Sequence, residues 1–180
     1  MKKVIVFLAD GSEEIEALTP VDMLRRAGAE VTFAGAGKKE CLCSHGVKIV
    51  TDKTAAECAC EDYDMVVLPG GMPGTLNLGA DADVEKIAKK AFAEGKLVAA
   101  ICAAPSLLGA WGMLSGKRAT CYPGFEEKLT GAVLAGEKAV RDGNVITACG
   151  AGAAMEFALL LVAALYGGDA SENLRKAVLA

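Results

Sequence analysis

The stretch that decides the fold is "KVIVFLADGSEE", residues 3–14, in which a continuous apolar run, Lys3–Ala9, leads directly into a polar turn. The run is rich in β-branched residues, which indicates a strand buried on both faces, as in a parallel sheet. After the turn, Ser12 is predicted to cap a helix whose first turn carries Glu13 and Glu14, a favourable place for negative charge.

The strand–helix alternation continues along the chain. Pro20 either kinks the first helix or begins a second one, and Gly28 ends it. Asp142-Gly143 is predicted as a hairpin turn. Further strands are predicted at Glu30–Gly35, Met65–Gly71 and Lys96–Cys102, and further helices at Asp81–Glu94, Gly150–Gly168 and Asp169–Val178. Such alternation predicts one α/β domain over residues 1–180, a doubly wound and mainly parallel sheet with helices on both faces.

Composition narrows the class of protein. The 180 residues are 53% hydrophobic, enough for a large core without metal or disulfide support. There are 19 basic and 23 acidic residues and no basic run, which argues against a nucleic-acid or anionic membrane partner.

The most apolar segment, Phe157–Tyr166, is about half the length of a membrane span. The apolar run before Asp10 is too short for a secretion signal. We therefore expect a soluble cytoplasmic protein, in which the seven cysteines stay reduced.

Three chemically distinctive segments are predicted to meet at one edge of the sheet. Asp10–Glu16, Pro69–Gly74 and Cys102 each follow a predicted strand. In doubly wound sheets the functional crevice lies at the carboxyl ends of the strands, near a topological switch point. This edge is therefore the predicted site.

Cys102 lies in "AAICAAPSLLG", residues 99–109, between a buried strand and a helix start. A thiol at a helix N-terminus gains thiolate stabilisation, so we expect a lowered pKa. The strand–turn–helix setting also resembles the nucleophile elbow of serine hydrolases. The alternative is a buried structural cysteine, which is common.

Two neighbouring segments offer supporting groups. The glycine turn Pro69–Gly71 can present backbone N–H groups to an oxyanion, or it is simply the end of a strand. Among Glu13, Glu14 and Glu16, two are expected to face solvent and one to face the crevice, where burial beside a thiolate raises its pKa. Periodicity does not choose among the three.

Other candidate ligands are weaker. His45 is the sole histidine, and nothing in the sequence places it beside Cys102, so a structural role competes with a catalytic Cys–His pair. A metal cluster built from Cys41, Cys43, His45, Cys58 and Cys60 is a further alternative, although its C-x-C spacings differ from the C-x2-C of zinc sites.

Coenzyme motifs are incomplete. "GAGAAM", residues 150–155, lacks the third glycine and the later acidic residue of a dinucleotide fingerprint, and the chain has no Walker loop. We expect neither a metal nor an organic cofactor.

Four collinear segments together resemble the ThiJ/PfpI superfamily, and especially the branch of the Parkinsonism-associated deglycase and its bacterial relatives. They are "FLADGSEEIEALTPVDMLRRAGAEVTFAG", "DMVVLPGGMPGTLNL", "AAICAAPSLLGAWGML" and "GAGAAMEFALLLVAAL". The resemblance implies a flavodoxin-like sandwich of the class I glutamine amidotransferase type and a homodimer. It also implies that Cys102 is an easily oxidised nucleophile, that Glu16 faces its sulfur, and that the Gly71 and Ala103 amides form an oxyanion pocket.

The activities implied by this branch are cofactor-free glyoxalase or deglycase chemistry on methylglyoxal-like carbonyls or glycated amino and thiol groups, with protection against oxidative stress. A redox sensor or chaperone that uses Cys102 without turnover is the alternative. Gly70, His45 and Tyr122 are further pocket candidates.

Three positions depart from the family pattern. Ala103 stands where the protease-like branch has histidine, which argues against a peptidase. Tyr122 stands where the deglycase branch often has a histidine, so Glu16 is expected to carry most proton transfers. Cys149 stands where arginine is common, which removes an expected anion contact.

Overall fold

The computed structural model describes all 180 residues, and its centre is a seven-stranded sheet. The strands, in chain order, are β1 Lys3–Leu8, β2 Glu30–Gly35, β3 Glu40–Leu42, β4 Lys48–Val50, β5 Lys53–Thr54, β6 Met65–Leu68, β7 Leu97–Ile101, β8 Arg118–Ala119, β9 Val133–Leu134, β10 Ala139–Asp142 and β11 Val145–Ala148. The helices are α1 Glu14–Arg26, α2 Ala55–Cys58, α3 Gly74–Ala80, α4 Ala82–Ala93, α5 Pro105–Ala110, α6 Ala154–Tyr166 and α7 Gly168–Ala177.

The strand order in the main sheet is β10-β11-β7-β6-β1-β2-β5. All neighbours are parallel except β10 and β11, which form an antiparallel hairpin at one edge. The order β2-β1-β6-β7-β11 is the flavodoxin-like order, with its switch point between β1 and β6. The predicted doubly wound, mainly parallel sheet with helices on both faces is confirmed.

Side chains of β1 alternate between two core clusters, one on each face of the sheet. Val4, Val6 and Leu8 pack with α1 and α6, and Ile5 and Phe7 pack with α3, α4 and α5. The period-2 geometry of a strand therefore buries every residue of this run except the first. Burial on both faces explains why the run is continuously apolar.

The first helix differs from its prediction at its start. Glu13, not Ser12, is the N-cap residue, and no side chain caps the helix. The Ala9 N–H donates to the Ser12 hydroxyl instead, because Ser12 is buried in the turn that follows β1. Pro20 lies inside one continuous helix, so no second helix begins there.

The remaining predicted elements are present with shifted ends. The β10–β11 hairpin turns at Gly143 and Asn144, one residue later than predicted. Helix α6 is preceded by a short 3-10 turn, Ala151–Ala153. The short elements α2, α3, β5, β8 and β9 have no counterpart in the sequence-based prediction. Every helix falls short of the length and apolarity that a membrane crossing needs.

Candidate active site

Cys102 lies on a sharp turn directly after β7. Its φ of 65° is in the left-handed region, which non-glycine residues rarely occupy. Two backbone hydrogen bonds hold this conformation: the Cys102 N–H donates to the Ala148 carbonyl and the Tyr122 N–H donates to the Cys102 carbonyl, both at 2.8 Å. Such strain persists where the surroundings over-determine it, often at functional sites. The turn therefore has the geometry of a nucleophile elbow, as the sequence indicated.

Glu16 reaches the sulfur from α1. Its side chain is buried, its Oε2 accepts a hydrogen bond of 2.9 Å from the Gly70 N–H, and its carboxyl group shares a hydrogen bond with Cys102. The second oxygen, Oε1, is buried without any hydrogen-bond partner. An unpaired buried oxygen is costly, and such atoms often mark a functional site.

The two residues meet because Gly70 has no side chain. A Cβ at this position would lie 2.7 Å from both the Cys102 Cβ and the Glu16 Oε2. The next residue, Gly71, has a φ of 86° and packs as tightly against the backbone of Ser12 and Glu13. The glycine turn after β6 thus leaves the space that α1 needs to approach the end of β7.

Backbone amides also reach the sulfur. The amides of Gly71 and Ala103 hydrogen-bond to Cys102, and they oppose the rise in its pKa that burial and Glu16 cause. They come from separate segments, the turn after β6 and the turn after β7. The same two donors are well placed to stabilise negative charge on an oxygen attached to a carbon bound at the sulfur.

The electrostatics of the pair run against the thiolate that the sequence predicted. Burial, followed by the charge and hydrogen bond of Glu16, raises the pKa of Cys102 to about 12, despite the two amides. Burial, helped by the charge of Glu13, raises the pKa of Glu16 to about 7, although hydrogen bonds from Cys102 and Gly70 oppose the shift. The expected low pKa of Cys102 is therefore wrong. Each group disfavours ionisation of the other, so the pair titrates as a unit and holds one negative charge at most near neutral pH.

Glu14 differs from the prediction that two of the three glutamates face solvent, since it is buried as well as Glu16. The His45 N–H donates to its Oε1 at 2.9 Å, and the Ser44 hydroxyl and the His45 Nδ1 lie 3.0 and 3.1 Å from its Oε2. Burial raises the pKa of Glu14, but a hydrogen bond from its own backbone N–H, together with those from His45 and Ser44, outweighs burial and brings the pKa to about 2. His45 makes no hydrogen bond with Cys102; it contacts Glu13 and Glu14.

The cysteine–histidine metal cluster that the sequence left as an alternative does not form. Cys41 and Cys43 lie in the core cluster on one face of the sheet, Cys58 lies in the cluster on the other face, and Cys60 is exposed. The one group of potential metal ligands that converge is Glu13, Glu14 and His45. The sheet itself separates the cysteines that the sequence brings close.

A small pocket opens beside the sulfur. It has a volume of about 200 Å³ and is lined by Gly71, Met72, Cys102, Ala103, Tyr122 and Phe125. Tyr122 was a pocket candidate from the sequence, whereas Met72 and Phe125 were not. Met72 lies in the Pro69–Gly74 segment that was predicted at this edge, but no sequence signal marked its side chain. Phe125 lies in an irregular segment that only the folded chain brings to Cys102.

A flavodoxin-like sheet with a cysteine on a strained turn and a buried glutamate against its sulfur defines a cysteine-centred site of the ThiJ/PfpI type. The chain belongs to the DJ-1/PfpI family, whose profile matches residues 2–164. It is 44% identical over 172 residues to protein DJ-1 homolog B of Arabidopsis thaliana; the match covers 92% of this chain but 39% of that relative. It is 33% identical to the glutathione-independent glyoxalase DJR-1.2 of Caenorhabditis elegans, over 96% of this chain and 92% of that one.

The fold has a similarly strong match among solved structures. Toxoplasma gondii DJ-1, described as oxidized, aligns with a TM-score of 0.96 and 36% identity, over 99% of this chain and 98% of the other. The predicted superfamily and its flavodoxin-like fold are confirmed.

Glu16 is expected to cost stability when it ionises. Its pKa is 4.5 as a free side chain and about 7 in the fold. The neutral carboxyl group therefore contributes its full stability below pH 4.5, and this stability is lost as pH rises through about 7. Glu16→Gln has no group that ionises, so it does not lose stability in this way. Relative to the parent protein, the free energy of unfolding of the variant should rise by about 3 kcal/mol between pH 4 and pH 8. Urea unfolding at both pH values measures it. Exposed Glu127→Gln is the control, and its free energy of unfolding should differ from that of the parent by the same amount at both pH values. The same result for Glu16→Gln would contradict a buried carboxyl group with a raised pKa.

Gly70→Ala tests whether the approach of Glu16 to Cys102 requires a residue without a side chain at position 70. The added Cβ clashes with Cys102 and Glu16, so we expect a loss of about 1–3 kcal/mol in the free energy of unfolding and a changed rate of Cys102 alkylation. Gly136→Ala is the matched control, since a Cβ there meets nothing within 4 Å. Equal behaviour of the two variants in both measurements would show that the close approach of Glu16 to Cys102 does not depend on Gly70.

Proposed function

We propose that the protein is a cysteine-dependent, cofactor-free enzyme that converts α-oxoaldehydes such as methylglyoxal into 2-hydroxy acids. The observation that carries the proposal is the contact of the buried Glu16 carboxyl group with the Cys102 sulfur, beside two backbone amides. The name of the Caenorhabditis elegans relative, a glutathione-independent glyoxalase, supports the same reaction class.

The first step forms a bond between the Cys102 sulfur and the aldehyde carbon. Because the thiol has a raised pKa, a free thiolate is scarce, and the proton must leave as the carbon–sulfur bond forms. The ionised Glu16 carboxylate accepts that proton. The amides of Gly71 and Ala103 hold the oxygen as it gains negative charge. Protonated Glu16 then donates the thiol's proton to that oxygen, which yields a hemithioacetal and restores the Glu16 carboxylate.

The following steps move two protons and add water. Glu16 takes the proton from the former aldehyde carbon and returns it to the neighbouring carbon, while the hydroxyl proton passes to the former ketone oxygen. The hemithioacetal thereby becomes a thioester of a hydroxy acid. Water then cleaves the thioester, releases the acid and restores the Cys102 thiol. The sum is addition of one water to the α-oxoaldehyde, with no net oxidation. Deglycase activity on hemithioacetals and aminocarbinols of glycated groups would use the same groups.

Activity should depend on Cys102 and on ionised Glu16. Cys102→Ser should reduce kcat/KM for methylglyoxal below detection, and Glu16→Gln should reduce it about 10²–10⁴-fold. In the parent protein kcat/KM should fall about tenfold per pH unit below about 7, because Glu16 must be deprotonated to act as a base.

The pH profile of turnover is the measurement. Exposed Glu127→Gln should keep both the rate and the pH profile of the parent. Undiminished turnover by Cys102→Ser, or a pH profile without a limb near 7, would contradict this mechanism.

A second function, redox sensing at Cys102, is favoured by the partnerless Oε1 of Glu16. Oxidation by peroxide to a sulfinic acid adds two oxygens to sulfur. A protonated Glu16 could then donate a hydrogen bond to one of them. The related Toxoplasma gondii structure is described as oxidized. A chaperone role would use the same oxidisable thiol.

Mild peroxide should add two oxygens to Cys102 before the buried Cys41 and Cys58 are modified, because Glu16 can accept the thiol proton as the sulfur reacts. Mass spectrometry of peptides is the measurement. Glu16→Gln should shift the product from sulfinic toward sulfonic acid, because the stabilising donor is weakened. Oxidation of buried Cys41 or Cys58 while Cys102 stays unmodified would rule out the sensor.

We also propose a homodimer in the reducing cytoplasm. All seven cysteines are free thiols, which fits a reducing compartment. Ile15 and Leu18 on α1 and Val50 on β4 expose apolar side chains, which fits a surface covered by a second copy. Light scattering distinguishes dimer from monomer.

A further inference from the structure

The pocket beside Cys102 is lined mainly by hydrophobic residues. Five of its six lining residues are hydrophobic, and no charged side chain is among them. Its volume of about 200 Å³ lies below the ~300–1,000 Å³ typical of pockets for drug-sized ligands. The pocket therefore suits a small molecule with an apolar part.

Tyr122 and Phe125 form an aromatic wall that the backbone holds in place. The Tyr122 N–H donates to the Cys102 carbonyl at 2.8 Å, and the Phe125 N–H donates to the Tyr122 carbonyl at 3.1 Å. The Tyr122 ring lies against Gly150, where a Cβ would be 3.3 Å from its Cδ2. The Lys128 ammonium lies over the Phe125 ring, 4.8 Å from its centre, outside the pocket lining.

An anionic substrate has little to hold it in this place. The pocket lining offers no cationic side chain, and Glu16 supplies negative charge directly at the sulfur. A second negative charge beside Glu16 is repelled by it and finds no cation in the lining to pair with. An apolar substituent, in contrast, gains from leaving water.

Building on the proposed function, we propose that the site is specific for neutral α-oxoaldehydes with an apolar and especially an aromatic substituent, and that Tyr122 and Phe125 determine this specificity. The aldehyde carbon lies at the Cys102 sulfur and the substituent lies against the two rings. The hydroxy acid product is an anion at neutral pH, so the same pocket holds it weakly and it inhibits little.

The experiment compares kcat/KM for phenylglyoxal and for glyoxal, which lacks a substituent. In the parent protein the ratio of the two should favour phenylglyoxal by about tenfold or more, the scale of discrimination that small apolar groups provide. Phe125→Ala and Tyr122→Ala should each lower that ratio several-fold, and Phe125→Leu less. Val133→Ala, an exposed apolar residue on β9 outside the pocket, is the control and should keep the parent ratio.

Alkylation of Cys102 provides a readout that needs no turnover. At a fixed pH, the rate of labelling by N-benzyl iodoacetamide should exceed that by iodoacetate at least tenfold, and Phe125→Ala should reduce this preference. The labelled peptide is quantified by mass spectrometry.

The outcomes separate the two proposals. Turnover with no preference for phenylglyoxal, or with a preference that Phe125→Ala and Tyr122→Ala leave unchanged, overturns the specificity and leaves the enzyme intact. No turnover of either aldehyde overturns the proposed function, and the labelling preference then decides whether the pocket selects neutral aromatic groups. Equal labelling by the neutral and anionic reagents overturns that selection.

Discussion

The contact between the Glu16 carboxyl group and the Cys102 sulfur is the constraint on which the rest of the site depends. Both groups prefer to be neutral when buried, yet the fold holds them in contact. No cation lies close enough to stabilise the negative charge of either group. Such a pair disfavours the ionised state of each member. The fold keeps it through backbone contacts that do not depend on these side chains, which is how strained sites persist in stable proteins.

The sheet topology explains how three distant segments reach one point. β1, β6 and β7 are neighbours in the sheet. Glu16 lies on α1, which follows β1, and the turns after β6 and β7 carry the glycine pair and Cys102. Gly70 and Gly71 are needed there because a side chain at either position would separate the segments or clash with the turn before α1. The close approach of backbones therefore sets the distance between carboxyl and sulfur, and that distance sets their coupled ionisation.

Much of this could be predicted from the sequence, because the decisive signals are local. The continuous apolar run of β1, the alternation of strands and helices, and the glycine turn predicted the sheet and the edge where the site lies. Glu16 was selected by the resemblance to the ThiJ/PfpI superfamily, since periodicity did not choose among three glutamates. The burial of Glu14 escaped prediction because its partners, Ser44 and His45, come from a separate segment.

The pKa of Cys102 and the pocket walls escaped prediction for a related reason. A position at the start of a helix suggested a stabilised thiolate, but burial and the neighbouring carboxyl group outweigh the backbone amides. α5 is also short, six residues, and begins three residues after the cysteine. Phe125 and Met72 lie in irregular segments, where long-range packing rather than a repeating pattern decides which side chain faces Cys102.

The most direct test of this account is the ionisation of Glu16 itself. Carbon-13 NMR of its side-chain carboxyl carbon, followed from acid to mildly alkaline pH, reports the titration without requiring turnover. The account predicts a midpoint near 7 in the native protein, and a change of that midpoint in Cys102→Ser because the two groups titrate together. A midpoint near 4.5 that is the same in both proteins would contradict the coupled pair and, with it, the proton-transfer role of Glu16.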